Sequence, residues 1–71
     1  MTLIIPYTSE QLTWHLRSNI FGLSQPTIDK IVEQCNLVNM GQMELEDEIA
    51  PDSGITIADM LADIKIEYNA Q

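Results

Sequence analysis

The stretch from Gly22 to Cys35, Gly-Leu-Ser-Gln-Pro-Thr-Ile-Asp-Lys-Ile-Val-Glu-Gln-Cys, constrains this chain more than any other. It places a helix stop, a helix start and an amphipathic run one after another. Gly22 tolerates the left-handed conformation that ends a helix. Ser24 is an N-cap residue, and Pro26 fits the first turn, where a backbone N–H has no partner to lose. From there Ile28, Ile31, Val32, Cys35 and Val38 fall on one helical face, and Asp29, Lys30, Glu33 and Gln34 fall on the other. The spacing predicts a helix near 25–40, stopped by Gly41.

Two further helices are expected around it, near 9–21 and 56–68. Thr8 caps the first, with Gln11 completing a capping box. Leu12, Leu16 and Ile20 form its apolar stripe, and Phe21 and Leu23 are expected to close the end of the core. Trp14 lies about 160° from that stripe on a helical wheel, flanked by His15 and Arg17. It is either covered by the N-terminal arm or exposed as an interface anchor. Thr56 caps the last helix, with Asp59 three residues on. Ile57, Met60, Leu61, Ile64 and Tyr68 share its apolar face, and Asp59, Asp63 and Glu67 form an acidic stripe beside it. Ile66 lies off that face. Ile64–Tyr68 also alternates as a strand would, a reading that gains if the segment pairs with Leu3–Tyr7. Residues 1–7 are a β-prone arm ending near Pro6, laid either over this chain's own core or over a partner's. Residues 42–55 read as an ordered or semi-ordered acidic connector with a turn at Pro51 and Gly54. The expected fold is therefore all-α or mainly α: one small three-helix domain, residues 1–71, with a short β-prone arm.

The central stretch resembles the turn and second helix of the helix-turn-helix superfamily. Ser18, Phe21, Gly22, Leu23, Ser24-Gln-Pro-Thr27, Ile28 and Ile31 carry the likeness: a small residue four before the turn glycine, apolar residues on either side of it, and apolar residues holding the second helix on the first. The resemblance covers the middle third of the chain. It implies a DNA-binding transcriptional regulator with Gln25, Thr27 and Lys30 in the major groove. Two departures stand against it. Arg17 falls at an apolar position of the pattern, and Asp29 and Glu33 are carboxylates on the groove-facing side, where phosphates repel them.

Charge placement points another way. The formal net charge is −8. Residues 1–41 hold Glu10, Asp29 and Glu33 against Arg17 and Lys30, a net of −1. Residues 42–71 hold Glu44, Glu46, Asp47, Glu48, Asp52, Asp59, Asp63 and Glu67 against Lys65, a net of −7. Such a field repels nucleic acid and anionic lipid and favours basic protein surfaces. No segment approaches the roughly 20 apolar residues of a membrane span, and the first apolar run lacks the preceding positive charge of an export signal. Cys35, the only cysteine, reads as a reduced core thiol of a cytoplasmic protein.

Catalytic groups are sparse. His15 is the only histidine and has no ligands at metal spacing around it. No serine sits in a nucleophile elbow, and the isolated glycines build no phosphate loop. The carboxylates read as solvated, without the burial that raises the pKa of a general acid. No catalytic residue, metal or cofactor is expected. The leading expectation is a non-enzymatic interaction module, an acidic inhibitor or adaptor of the kind phages use. It would bind a basic surface, including that of a nucleic-acid-binding protein whose phosphate cleft it would mimic. Trp14, Glu44, Glu46, Asp47, Glu48, Asp59, Asp63 and Glu67 would make the contact. A homodimer is a further way to cover the arm and the tryptophan.

Overall fold

The computed structural model describes residues 3–49 and 53–69. Among them are three α-helices, α1 (Ser9–Asn19), α2 (Gln25–Asn39) and α3 (Ile57–Asp63), and no strand beyond one isolated antiparallel bridge between Glu48 and Thr56. The expected all-α class holds. Met1 and Thr2 of the arm, and Pro51 and Asp52 of the connector, lie outside the described residues.

Local rules start each helix. Thr8 and Thr56 each close a full capping box, with Gln11 and Asp59 respectively. Ser24 caps α2 through the Thr27 N–H, with Pro26 in the first turn. At the end of α2, Gly41 takes φ 80°. Its N–H donates to the carbonyl of Val38, and that of Gln42 donates to the carbonyl of Leu37, the paired bonds of a Schellman stop.

The core draws on every element. Leu12 and Leu16 of α1 meet Ile28, Ile31, Val32, Cys35 and Val38 of α2. Ile57 and Leu61 of α3, with Ile64 and Ile66 just beyond it, close the other side. Ile5 is completely buried in the same cluster, so the arm covers its own core. Asn39 fixes it there. The side-chain oxygen of Asn39 accepts from the Ile5 N–H at 2.7 Å, and its amide donates to the Ile5 carbonyl at 2.8 Å. One side chain thereby satisfies both main-chain groups, as a neighbouring strand would.

Three expectations are corrected. First, α1 ends at Asn19, because Ile20 turns extended at φ −126°, ψ 122°. Beyond that point the helical wheel no longer applies, and Phe21, expected to close the core, is fully exposed at the turn. Second, the last helix stops at Asp63 rather than running to 68. Lys65 adopts φ 58°, its N–H donates to the carbonyl of Ala62, and that of Ile66 donates to the carbonyl of Leu61. This is again a Schellman stop, formed here without glycine. Ile66 consequently turns into the core, while Tyr68 is exposed. Third, the segment after α3 returns beside the arm: the backbone N–H of Asn69 donates to the Ile4 carbonyl and its side-chain amide to the Leu3 carbonyl. Neither pattern describes Ile64–Tyr68: Ile64 and Ile66 are buried, but Lys65 is left-handed, Tyr68 is exposed and no strand forms there.

Candidate interaction surface

The expected contact residues divide into two groups that the fold does not treat alike. In the connector, the Asp47 carboxylate accepts from the Glu44 N–H at 2.9 Å, while the Asp47 N–H donates to the Glu44 carbonyl. Glu48 accepts from the Gly54 N–H at 2.9 Å and so ties the two ends of the loop together. Asp59 is committed to the cap of α3. These three carboxylates hold the backbone. The reading of 44–48 as a purely solvated charge run is corrected to that extent. Among the described residues, no hydrogen bond engages the exposed side chains of Glu44, Glu46, Asp63 or Glu67. The acidic stripe also changes. Asp59 and Asp63 remain one turn apart on α3, but Glu67 follows the helix stop and leaves that line.

Beneath its charge the connector is well anchored. Met43, Leu45 and Ile49 pack against the core. The N–H groups of Ile49, Ile57 and Ala58 donate to the carbonyls of Ile55, Asp47 and Leu45 at 2.9–3.0 Å. From α2, the Gln34 amide donates to the Ile49 carbonyl at 2.6 Å, while its side-chain oxygen is buried with no partner among the described residues. The acidic groups are therefore displayed from a fixed frame.

Trp14 belongs to the other face. The described residues of the arm leave it open, and it is 64% exposed. His15 packs edge-on against it at 5.2 Å between ring centroids, and Tyr7 packs edge-on against His15 at 5.6 Å. The arm thus braces the tryptophan indirectly. Two cross-helix contacts establish that α1 and α2 run antiparallel: Arg17 donates to Gln25 at one end, and Asn36 donates to Ser9 at 3.3 Å at the other. Between the helices lies an open groove of about 400 Å³, whose lining includes Glu10, Thr13, Trp14 and Arg17 of α1 and Asp29 and Val32 of α2.

The residues implied by the helix-turn-helix resemblance are all exposed on α2, but two of them have local bonds. Gln25 accepts from Arg17 and donates to Asp29 at 2.8 Å. The Thr27 hydroxyl lies 2.9 Å from that of the cap Ser24. Lys30 is exposed and lines a second shallow depression with Pro26, Thr27, Ile31 and Ile49.

Sequence reasoning missed the bridging asparagines. Asn39 and Asn69 fix the arm, and Asn19 donates to the Ile64 carbonyl at 3.3 Å, joining the end of α1 to the end of α3. Their signal was weak, because an asparagine's long-range partners are invisible to periodicity. Cys35 is 1% exposed, and burial pushes its thiol up to about 11, so it stays protonated as a small core side chain. Among the described residues no three His, Cys, Asp or Glu side chains converge on a metal-sized site, and no helix is long and apolar enough to cross a membrane. Neither family models, curated protein sequences nor solved structures gave a match to this chain.

Proposed function

We propose that this chain is a non-enzymatic interaction module, an acidic inhibitor or adaptor that docks on a basic surface of a partner protein. The observation that carries this reading is the set of exposed carboxylates, Glu44, Glu46, Asp63 and Glu67, which the fold does not use and which sit on an anchored frame. Fixed charges of one sign raise the association rate with an oppositely charged surface and orient the encounter. Asp47, Glu48 and Asp59 contribute to the same field while holding the backbone. Trp14, an aromatic residue beside an arginine, has the character of a binding hot spot.

Nucleic-acid mimicry is the narrower form of this reading. Asp59 and Asp63 place one charge about every 6 Å of helix axis, whereas duplex DNA carries one per about 1.7 Å. Mimicry would therefore have to draw on the connector as well. The second reading is a helix-turn-helix regulator, favoured by a left-handed Gly22 between two capped helices, although their antiparallel course departs from the roughly 90–120° crossing of that motif. The engagement of Gln25 and Thr27 and the excess of carboxylates weigh against it.

The test is kinetic. A partner captured from the native host lysate is titrated by surface plasmon resonance at several salt concentrations. Glu44→Gln, Glu46→Gln, Asp63→Asn and Glu67→Gln combined should slow association several-fold and flatten its salt dependence. An unchanged on-rate would remove the acidic surface from the contact. Gel shifts on random duplexes at low salt decide the second reading, since even non-specific DNA readers bind there.

A further inference from the structure

The groove between α1 and α2 lies on the near-neutral half of the molecule, away from the residues on which the acidic-module reading rests. The geometry points to a specific occupant: the guanidinium side chain of an arginine in a basic partner segment, laid over the face of Trp14. This inference deepens the proposed function and rests on it, because the partner surface is taken to be basic.

The antiparallel register arranges the groove residues in order. Pairing of Arg17 with Gln25, and of Ser9 with Asn36, brings Asp29 opposite Thr13 and Trp14, and Val32 opposite Glu10 and Thr13. Val32, 8% exposed, supplies the apolar floor. On α1, Glu10 precedes Trp14 by one turn, about 6 Å along the axis. A cation over the indole is therefore flanked by Glu10 along one helix and by Asp29 across the groove. The groove's own cation, Arg17, is already engaged: it donates to Gln25, which in turn donates to Asp29. That relay holds Arg17 at the far end, one turn beyond Trp14. Arg17 keeps its charge through that bond to a neutral amide, so the groove offers a second guanidinium an indole and two carboxylates against one fixed cation, a net charge of −1.

Its size fits one or two side chains, since about 400 Å³ is at the small end of ligand clefts. Its mixture also suits arginine better than a plain apolar anchor. A planar guanidinium stacks on an indole while its edge N–H groups reach carboxylates, and its methylene stem covers an apolar floor such as Val32. His15, packed edge-on, keeps the indole from turning freely.

The probe is an N-acetylated, C-amidated nonapeptide of alternating arginine and alanine, added to the full chain at low salt. An otherwise identical peptide with citrulline, a neutral isostere of arginine, is the control. ¹H–¹⁵N spectra report the site. The arginine peptide should shift the Trp14 indole N–H and the amides of Thr13, Asp29 and Val32, and the citrulline peptide should leave them in place. Glu10→Gln with Asp29→Asn should weaken that binding about fivefold, and Trp14→Ala about threefold. Asn at 29 can still accept from Gln25, so the spectra of the double variant should otherwise match the parent's. Shifts confined to Glu44, Glu46, Asp63 and Glu67 would overturn the groove assignment and leave the acidic-module reading standing. Absence of shifts anywhere would overturn both. Equal response to the citrulline peptide would make the groove an apolar site and end the assignment. Concentration-dependent groove shifts without peptide would assign it to a second copy of this chain instead.

Discussion

Residues 3–41 and the described residues of 42–69 supply one core, but they reach it by different physics. The first part is two helices of 11 and 15 residues, each with a capped start and an apolar stripe, joined by a turn. Its helices and their ends are written in bonds between residues three to five apart, and longer bonds from Asn36 and Asn39 only fasten the pieces together. The second part has a single 7-residue helix, too short to be stable alone in water. It is held by half-buried Met43, Leu45 and Ile49, by loop-closing main-chain bonds, and by carboxylates that accept N–H groups. The acidic part is therefore not a tail hung on a stable helical hairpin. Its shape depends on docking, and the hairpin in turn depends on the apolar residues it brings.

Removing a buried leucine from the short helix is the strongest way to break this comparison. Leu61 is fully buried, and Leu61→Ala should cost about 2–5 kcal/mol. A chain of this length has only about 4–11 kcal/mol in total. The variant should lose the helical CD of α1 and α2 together with that of α3, in one transition. Ile31→Ala, on the central helix at 3% exposure, should cost a similar amount. If Leu61→Ala left a stable, fully helical hairpin, the interdependence argued here would be wrong.

Alkaline pH probes how dry the shared core is. The Cys35 thiol holds its proton to about pH 11 in the folded chain, because burial disfavours the thiolate. The unfolded chain releases that proton near pH 9. Between those values the folded state binds more protons, so stability falls as pH rises. The contribution is fully present below pH 9 and is lost towards 11, about 2–3 kcal/mol in all. Denaturant midpoints measured across that window should show a steeper fall in the parent than in Cys35→Ala. Parallel curves would mean that water reaches the thiol.

Asn39→Ala removes the partner of the buried Ile5 N–H and one of the two donors to its carbonyl, which keeps the Tyr7 N–H, and should cost about 1–3 kcal/mol by urea denaturation. This residue also marks the limit of what the chain reveals in one dimension. The three caps, the Gly41 stop, the apolar faces of α1 and α2 and the fold class were all legible, because each depends on near neighbours. The asparagine bridges and the role of Asp47 and Glu48 were not, because their partners are set only when the chain has closed; the burial of Ile5 was one of two alternatives left open. Phe21 and Tyr68 were misplaced for a related reason: a wheel was carried past the residue at which the helix ended. At the candidate site, Trp14 and its exposure were among the alternatives open in the sequence. The groove beside it was not, since it requires the antiparallel register of α1 and α2.

Within the acidic part, carboxylates that hold the backbone should be separable from those that do not. Asp47→Ala should cost about 0.5–1.5 kcal/mol through loss of the bond from the Glu44 N–H. Glu46→Ala should fall within about 0.5 kcal/mol of the parent. Thermal melts at moderate salt, which damp the repulsion among neighbouring acids, make the comparison clean. Equal effects would return the whole run to a solvated charge cluster.

A small gain in stability is the change most specific to the second part. Lys65 stands at the left-handed position of a Schellman stop with φ 58°, where a side chain pays a steric penalty that glycine avoids. Glycine also has more conformational freedom to lose on folding, which offsets part of that gain. Lys65→Gly should therefore raise stability by about 0.5–1 kcal/mol, seen as a higher melting temperature with an unchanged CD spectrum. The same substitution removes the only base in the acidic half, so the increase must exceed the added charge repulsion. Comparing low with high salt separates the two, because the backbone gain is independent of salt and the repulsion is not. A loss of stability that persisted at high salt would mean the chain does not turn at Lys65. α3 would then continue past Asp63, Ile66 would leave the core, and Glu67 would rejoin the acidic line of Asp59 and Asp63.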